Sequence, residues 1–274
     1  MRYADQHMHC SASEDSESAL PDMIAAAESA GLRAVCFTDH ADMANARTGR
    51  TDPSWPRLKE TFGQRQREQE AMADGQGVEV RFGVELGEIC QAPEIAMDCA
   101  GQEELDFVIA SVHNLPDTPD FYYYDYQSEE ECEALNRRYL AELLRTAEYD
   151  FFDVLGHVGY TCRYMQQKGF AEKITVAKYG DELEALFNKL IDNGCGIECN
   201  TSGFRNGGAF PYPDRDVLQL YRELGGEIIT VGSDAHVPGQ VGMHLEDAYA
   251  LLRVCGFLYV AEFRRRNPTF ITLT

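Results

Sequence analysis

The chain has 274 residues, 44% of them apolar, and a mean hydropathy of −0.37, which suits a globular protein with a sizeable core. A formal net charge of −22 weighs against nucleic acid and anionic membrane surfaces, both of which bind through Lys and Arg. No apolar run is long enough to span a bilayer, MRYADQHMH carries no apolar signal segment, and nine cysteines without CxxC pairs are no disulfide framework. The expectation is one cytoplasmic domain over 1–274, without nucleic-acid or membrane partners.

Short β-rich runs alternate with longer segments of helical periodicity. A strand over 3–9 is followed by a helix in LPDMIAAAESAGLRA, with Pro in its first turn and Gly at its end. Then come a strand over 34–39, a helix over 54–73, and strands over 80–86 and 107–112. A helix over 128–149, a strand over 154–157, a helix over 174–193 and a strand over 196–200 continue the alternation. It closes with a helix over 214–224, a strand over 228–232 and a helix over 246–255. Seven such units predict an α/β architecture with a parallel sheet, and the residues at the strand ends favour closure into a barrel.

His7 and His9 project to one side of an extended strand, and adjacent imidazoles gain little unless a cation sits between them. His40 ends VCFTDH, Glu85 lies in FGVELGE, His113 in IASVHN and His157 in VLGHVGY. Asn200 lies in IECNTSG, and Asp234 with His236 in TVGSDAH. Six of the seven histidines thus fall at C-terminal strand ends, which meet at one mouth in an α/β barrel. One histidine there is most often a structural residue, but six coincidences are not. Six histidines and several carboxylates exceed the four ligands of a single zinc. They predict two or three divalent ions (Zn, Mn, Fe or Co) sharing a bridging carboxylate. Such clusters turn a bridging water into hydroxide and clamp phosphate oxygens during in-line displacement. Cys10, beside His9, is read as packing.

The segments DQHMHCSAS, AVCFTDH, FGVELGE, ASVHN, GHVGYTCRY, IECNTSGFR and IITVGSDAH resemble the successive metal motifs of the PHP (polymerase and histidinol phosphatase) superfamily, over nearly the whole chain. NTSGFR, PYPDRDVLQLYRELGGEIITVGSDAH and FRRRNPTFITL are similar to its histidinol-phosphatase branch. The resemblance implies a distorted (β/α)7 barrel with a trinuclear centre at the C-terminal mouth. It implies a first ion on His7, His9, Glu85 and Asp234, with Glu85 bridging to a second on His113 and His157. A third would sit on His40, His236 and position 15, where the biosynthetic phosphatases commonly have histidine and this chain has Asp15. Aspartate is a competent hard ligand. Glu14 competes for that role.

Arg163 and Arg205 follow strand ends near the mouth, and guanidinium geometry suits phosphate oxygens. The aromatic loop LPDTPDFYYYDYQ, residues 115–127, follows His113 and reads as either a binding wall or cover for the rim. Its tyrosines with Asp117, Asp120 or Asp125, and also Glu88, could receive a cationic substrate. His244 is read as structural. The expected activity is hydrolysis of a small phosphate monoester, L-histidinol phosphate, by a metal-bridging hydroxide, with Glu85, Asp234, His236, Arg163 and Arg205 as catalytic residues. The alternatives are a PHP phosphoesterase for another small ester, a nuclease-type member, or a non-catalytic metal-binding protein.

Overall fold

Seven strands run parallel and pair in chain order: β1 (Ala4–Met8), β2 (Ala34–Phe37), β3 (Glu79–Gly87), β4 (Phe107–Ser111), β5 (Val154–Leu155), β6 (Gly196–Asn200) and β7 (Ile229–Gly232). The structure, a computed structural model, describes residues 3–75 and 77–273. Beyond β7 the chain returns to β1. Asp234 N donates to His7 O at 2.7 Å and His9 N to Ala235 O at 2.8 Å, so the sheet is nearly closed into a barrel. This is the (β/α)7 architecture expected from the alternation. β1, β2, β4, β5, β6 and β7 are buried throughout; β2, β4, β5 and β7 accordingly read as near-continuous apolar runs rather than alternating ones, while β1 (ADQHM) and β6 (GIECN) bury polar residues among them.

Helices α1 (Leu20–Ser29), α2 (Trp55–Ala73), α3 (Pro93–Ala100) and α4 (Glu129–Thr146) accompany the first four strands. Helices α5 (Tyr160–Gln167), α6 (Val176–Asp192), α7 (Arg215–Glu223) and α8 (Leu245–Val254) follow. α4 starts where Ser128 Oγ accepts from Glu131 N at 3.2 Å, with glutamates filling the positive first turn. Its buried stripe of Cys132, Leu135, Tyr139 and Leu143 faces the core.

Three elements differ from the sequence expectation: α3, α5 and a C-terminal hairpin of β8 (Tyr259–Arg264) and β9 (Asn267–Thr272). The hairpin floors the barrel at the end remote from the mouth. Gln6 donates to Ala261 O at 2.6 Å and accepts from Phe263 N at 3.1 Å. Phe263 stacks on Phe107, the first residue of β4, with ring centroids 5.0 Å apart. Ala261 and Phe263 thereby join Cys36, Ile109 and Val154 in a buried apolar cluster. None of the nine cysteines is in a disulfide, and among the described residues no helix is long and apolar enough to cross a membrane.

Candidate metal centre

Strand ends deliver the donors. His7 lies in β1 with His9 just beyond it, Glu85 lies within β3, and His40, His113, His157, Asp234 and His236 follow β2, β4, β5 and β7. Pairing of β2 with β3 is prolonged by Ala41 N to Glu85 O at 2.8 Å, which sets His40 against Glu85. Asp234 (φ 55°) and His157 (φ 23°) hold backbone conformations that residues other than glycine adopt only under constraint from their surroundings.

Glu85, 1% exposed, divides the cluster. Its Oε2 lies 3.2 Å from His7 Nε2, 3.5 Å from His9 Nε2 and 3.4 Å from His40 Nδ1. Its Oε1 lies 2.8 Å from His157 Nε2 and 3.2 Å from His113 Nε2, and accepts from Ser111 Oγ at 2.6 Å. A Cβ at Gly156 would sit 2.5 Å from Ser111 Oγ, so the glycine leaves room for that support. Asp234 Oδ1 lies 3.5 Å from His9 Nε2 and 3.9 Å from His7 Nε2. Asp15 Oδ2 lies 2.8 Å from His236 Nε2 and 3.5 Å from His40 Nε2. Three groups therefore have metal-ligand spacing: His7, His9 and Glu85; Glu85, His113 and His157; and His9, Asp15, His40 and His236. Asp42 forms a further group with His40 and His113. Glu14 is exposed and in none of them.

The outer hydrogen bonds fix which nitrogen of each ring is bare. His7 Nδ1 lies 2.7 Å from the Glu198 carboxylate, so the ring proton belongs on Nδ1. Ser13 Oγ gives its proton to Asp39 at 2.9 Å and can only accept from His9 Nδ1, at 3.1 Å. His236 Nδ1 donates to Asp234 O at 3.1 Å. Nδ1 is thus committed in all three rings, and Nε2 is the nitrogen left to ligate. His7 Nε2 and His9 Nε2 face each other at 3.1 Å, and His236 Nε2 faces a carboxylate oxygen. Ligand atoms converging in this way fit a shared cation.

The charge states divide the cluster: burial opposes protonation of His7, His40 and His113, but the carboxylates of Glu198, Glu85 and Asp42 raise all three, His113 to about 10, whereas burial lowers His157. Burial, then the charges of His236 and His40, drives His9 down to about 3 and keeps it a neutral ligand. Burial opposes ionisation of Asp15, Asp234 and Glu85, but the surrounding histidines hold all three well below the usual carboxylate range. Imidazole and carboxylate donors together suit Zn, Mn, Fe or Co, and an ion bound among them would displace the protons that His7, His40 and His113 otherwise hold.

Arg163 and Arg205 line a cavity of about 600 Å³ beside His236, with Tyr122, Tyr164, Tyr212 and Ser202. Arg163 Nη2 donates to Asp234 Oδ2 at 3.0 Å and also to Ser202 Oγ, while its buried Nε has no partner. Arg205 Nη2 donates to the carbonyls of Ser233 and Asp234 at 3.1 and 2.9 Å. The aromatic loop divides its work: Phe121 is buried against Tyr139, and Tyr126 donates to Phe121 O at 2.9 Å. Tyr122, by contrast, is an exposed wall of the cavity. Asp117 and Asp125 are exposed, and Asp120 caps the turn by accepting from Tyr122 N at 2.7 Å. Glu88 lies behind His113, accepting from its N at 2.6 Å, and burial pushes its carboxyl up to about 8. His244 precedes α8 and pairs with Asp247 at 2.8 Å. Cys10 is buried beside Asp39, its N donating at 2.8 Å.

Sequence reasoning passed over Glu198, Asp42, Ser13, Asp39 and Ser111. The available signal was a charged residue inside an apolar strand, GIECN, where Glu is almost never buried unpaired.

Residues 5–202 match the PHP domain family. A probable histidinol-phosphatase of Deinococcus radiodurans is 30% identical over 267 residues, 96% of this chain and 97% of that protein. A probable histidinol-phosphatase of Thermotoga maritima is 26% identical over 265 residues, 94% of each chain. The crystal structure of histidinol phosphate phosphatase from Lactococcus lactis, complexed with zinc, L-histidinol and phosphate, matches with a TM-score of 0.75 and 25% identity. That match covers 98% of this chain and 99% of the other.

Proposed function

The chain belongs to the PHP domain family, and from that membership we propose that it is a metal-dependent histidinol-phosphatase releasing L-histidinol and inorganic phosphate from L-histidinol phosphate. The observation that carries the reading is the convergence of six histidines and the carboxylates of Asp15, Glu85 and Asp234 beside two arginines. Likeness to histidinol-phosphatases along the whole chain supports the substrate.

His7, His9, Glu85 and Asp234 would hold one divalent ion, Glu85 with His113 and His157 a second, and Asp15, His40 and His236 a third. Bound there, divalent ions supply Lewis acidity and a water acidic enough to attack phosphorus at neutral pH. Placed between two such sites, Glu85 would offset the repulsion between the cations they hold. The Arg163 and Arg205 guanidiniums neutralise equatorial oxygens of the phosphoryl group as charge develops. In a chain of net charge −22 they also make the cavity locally attractive to an anion. Tyr122, Tyr164 and Tyr212 line the same cavity and give it an aromatic wall against which the imidazole of the substrate would pack.

The test is phosphate release by the purified full chain, stripped of metal and reloaded with Zn²⁺ or Mn²⁺. Turnover of L-histidinol phosphate is expected to exceed that of serine phosphate, glycerol phosphate and p-nitrophenyl phosphate, and to vanish with chelator. Preference for another ester, or equal turnover after stripping, would overturn the proposal.

A further inference from the structure

Glu198 lies in the middle of β6, fully enclosed, and its carboxylate meets three donors. Oε1 lies 2.7 Å from His7 Nδ1, while Oε2 accepts from His157 N and from Asn200 Nδ2, each at 3.0 Å. His7 and His157 stand on opposite sides of Glu85, against Oε2 and Oε1 respectively. The space for this contact is reserved: a Cβ at Gly232 would come 2.5 Å from Glu198 Oε1 and 2.3 Å from His7 Cβ. The strained φ of 23° at His157 occurs where its N–H is tied to Glu198.

We infer that Glu198 is a positioning residue shared by two metal sites: it holds the His7 proton on Nδ1 and clamps the backbone at His157, setting the two ligands together across Glu85. The inference rests on the metal-centre reading above. Only a group that accepts at both oxygens satisfies all three donors. With glutamine, an amide oxygen that serves His7 turns the NH₂ onto the His157 N–H. An amide oxygen that serves His157 turns the NH₂ onto His7 Nδ1 and moves the ring proton to Nε2. Either orientation disables one ligand.

Glu198→Gln and Glu198→Asp, in the full chain, test this. Each protein is stripped of metal and titrated with Zn²⁺ against a chromophoric chelator, with histidine ring ¹⁵N shifts reporting tautomers and which site fills. In Glu198→Gln, zinc is expected to bind about 10–100-fold more weakly at the ions flanking Glu85, the usual cost of losing an outer-shell partner. The ion beside Asp15, His40 and His236 is expected to keep wild-type affinity. Glu198→Asp keeps an acceptor-only group but withdraws it by one methylene, and should weaken the same ions to a lesser degree. Unchanged affinity, or equal weakening of all ions, would overturn the inference. Should Glu198→Gln not fold, Glu198→Asp decides by the same two outcomes. Zinc affinity is read without substrate, so a protein that binds zinc in this pattern yet ignores histidinol phosphate would refute the proposed function alone.

Discussion

Neutralising Glu85 would leave His7, His9 and His40 at one oxygen and His113 with His157 at the other, with no anion between the ions they hold. Glu85→Gln should keep the fold, lose metal and lower turnover by on the order of 10³ or more, the scale expected for a central electrostatic group. Near-wild-type turnover at full metal content would contradict this. Asp15 is a separable case, because among the described residues its ion pairs are to His236 and His40, away from Glu85. Asp15→Ala should release one ion while the pair flanking Glu85 stays, and Asp15→His should restore it with a preference for softer metals. Elemental analysis of the three proteins reads this directly, and an unchanged metal count in the alanine variant would remove Asp15 from the centre. At this scale the histidines were legible because strand ends have a common destination in a barrel. Glu198, Ser13 and Asp39 were not. Their roles depend on partners brought close by folding, as His7 and Glu198 are across 191 positions.

The elements follow the same division. Strands buried on both faces announce themselves as short apolar runs and long amphipathic helices by their period, and β6 agrees with its expected bounds of 196–200. α5, YTCRYMQQ, spans eight residues, too few for periodicity to speak. The hairpin was hidden by its turn, where Arg265 and Arg266 take φ of 45° and 61° although Asn-Gly is the usual signal. Its contribution can be isolated. Phe263 is buried against Phe107 at the floor, so Phe263→Ala should cost about 3–5 kcal/mol in urea unfolding by the usual loss for a buried phenylalanine. Zinc stoichiometry of the folded variant should not change, since the mouth lies at the other end; loss of metal at low urea would show that floor and mouth are coupled. Asp5 ties β1 to the segment after β7, accepting from Ser233 N at 2.8 Å and Gly242 N at 2.9 Å. An acidic residue ahead of two histidines gave no hint of that closure.

On the scale of the whole molecule, the centre joins residues from position 7 to position 236, so bound ions stabilise the folded chain against an unfolded one that cannot assemble them. An ion present at a hundred times its dissociation constant contributes about 2.7 kcal/mol. For a domain of this size that is roughly 5–10 °C in Tm, and chelation should lower the midpoint by that much per ion lost, with recovery on adding Zn²⁺. An identical Tm with and without chelator would argue against such coupling. The parallel order of all seven strands follows from the alternation of strand and helix, and the barrel from the convergence of donors. How closely β7 approaches β1 was beyond pattern alone, because it rests on backbone pairs such as Asp234 N with His7 O.

The most direct test is anomalous diffraction at the zinc edge from crystals of the full chain loaded with Zn²⁺ and soaked with phosphate. Peaks are expected on both sides of Glu85, one against His7 and His9 and one against His113 and His157, with a third beside Asp15, and phosphate oxygens toward Arg163 and Arg205. Zinc bound elsewhere, or a single peak that does not touch Glu85, would contradict the metal centre from which the proposed catalysis is built.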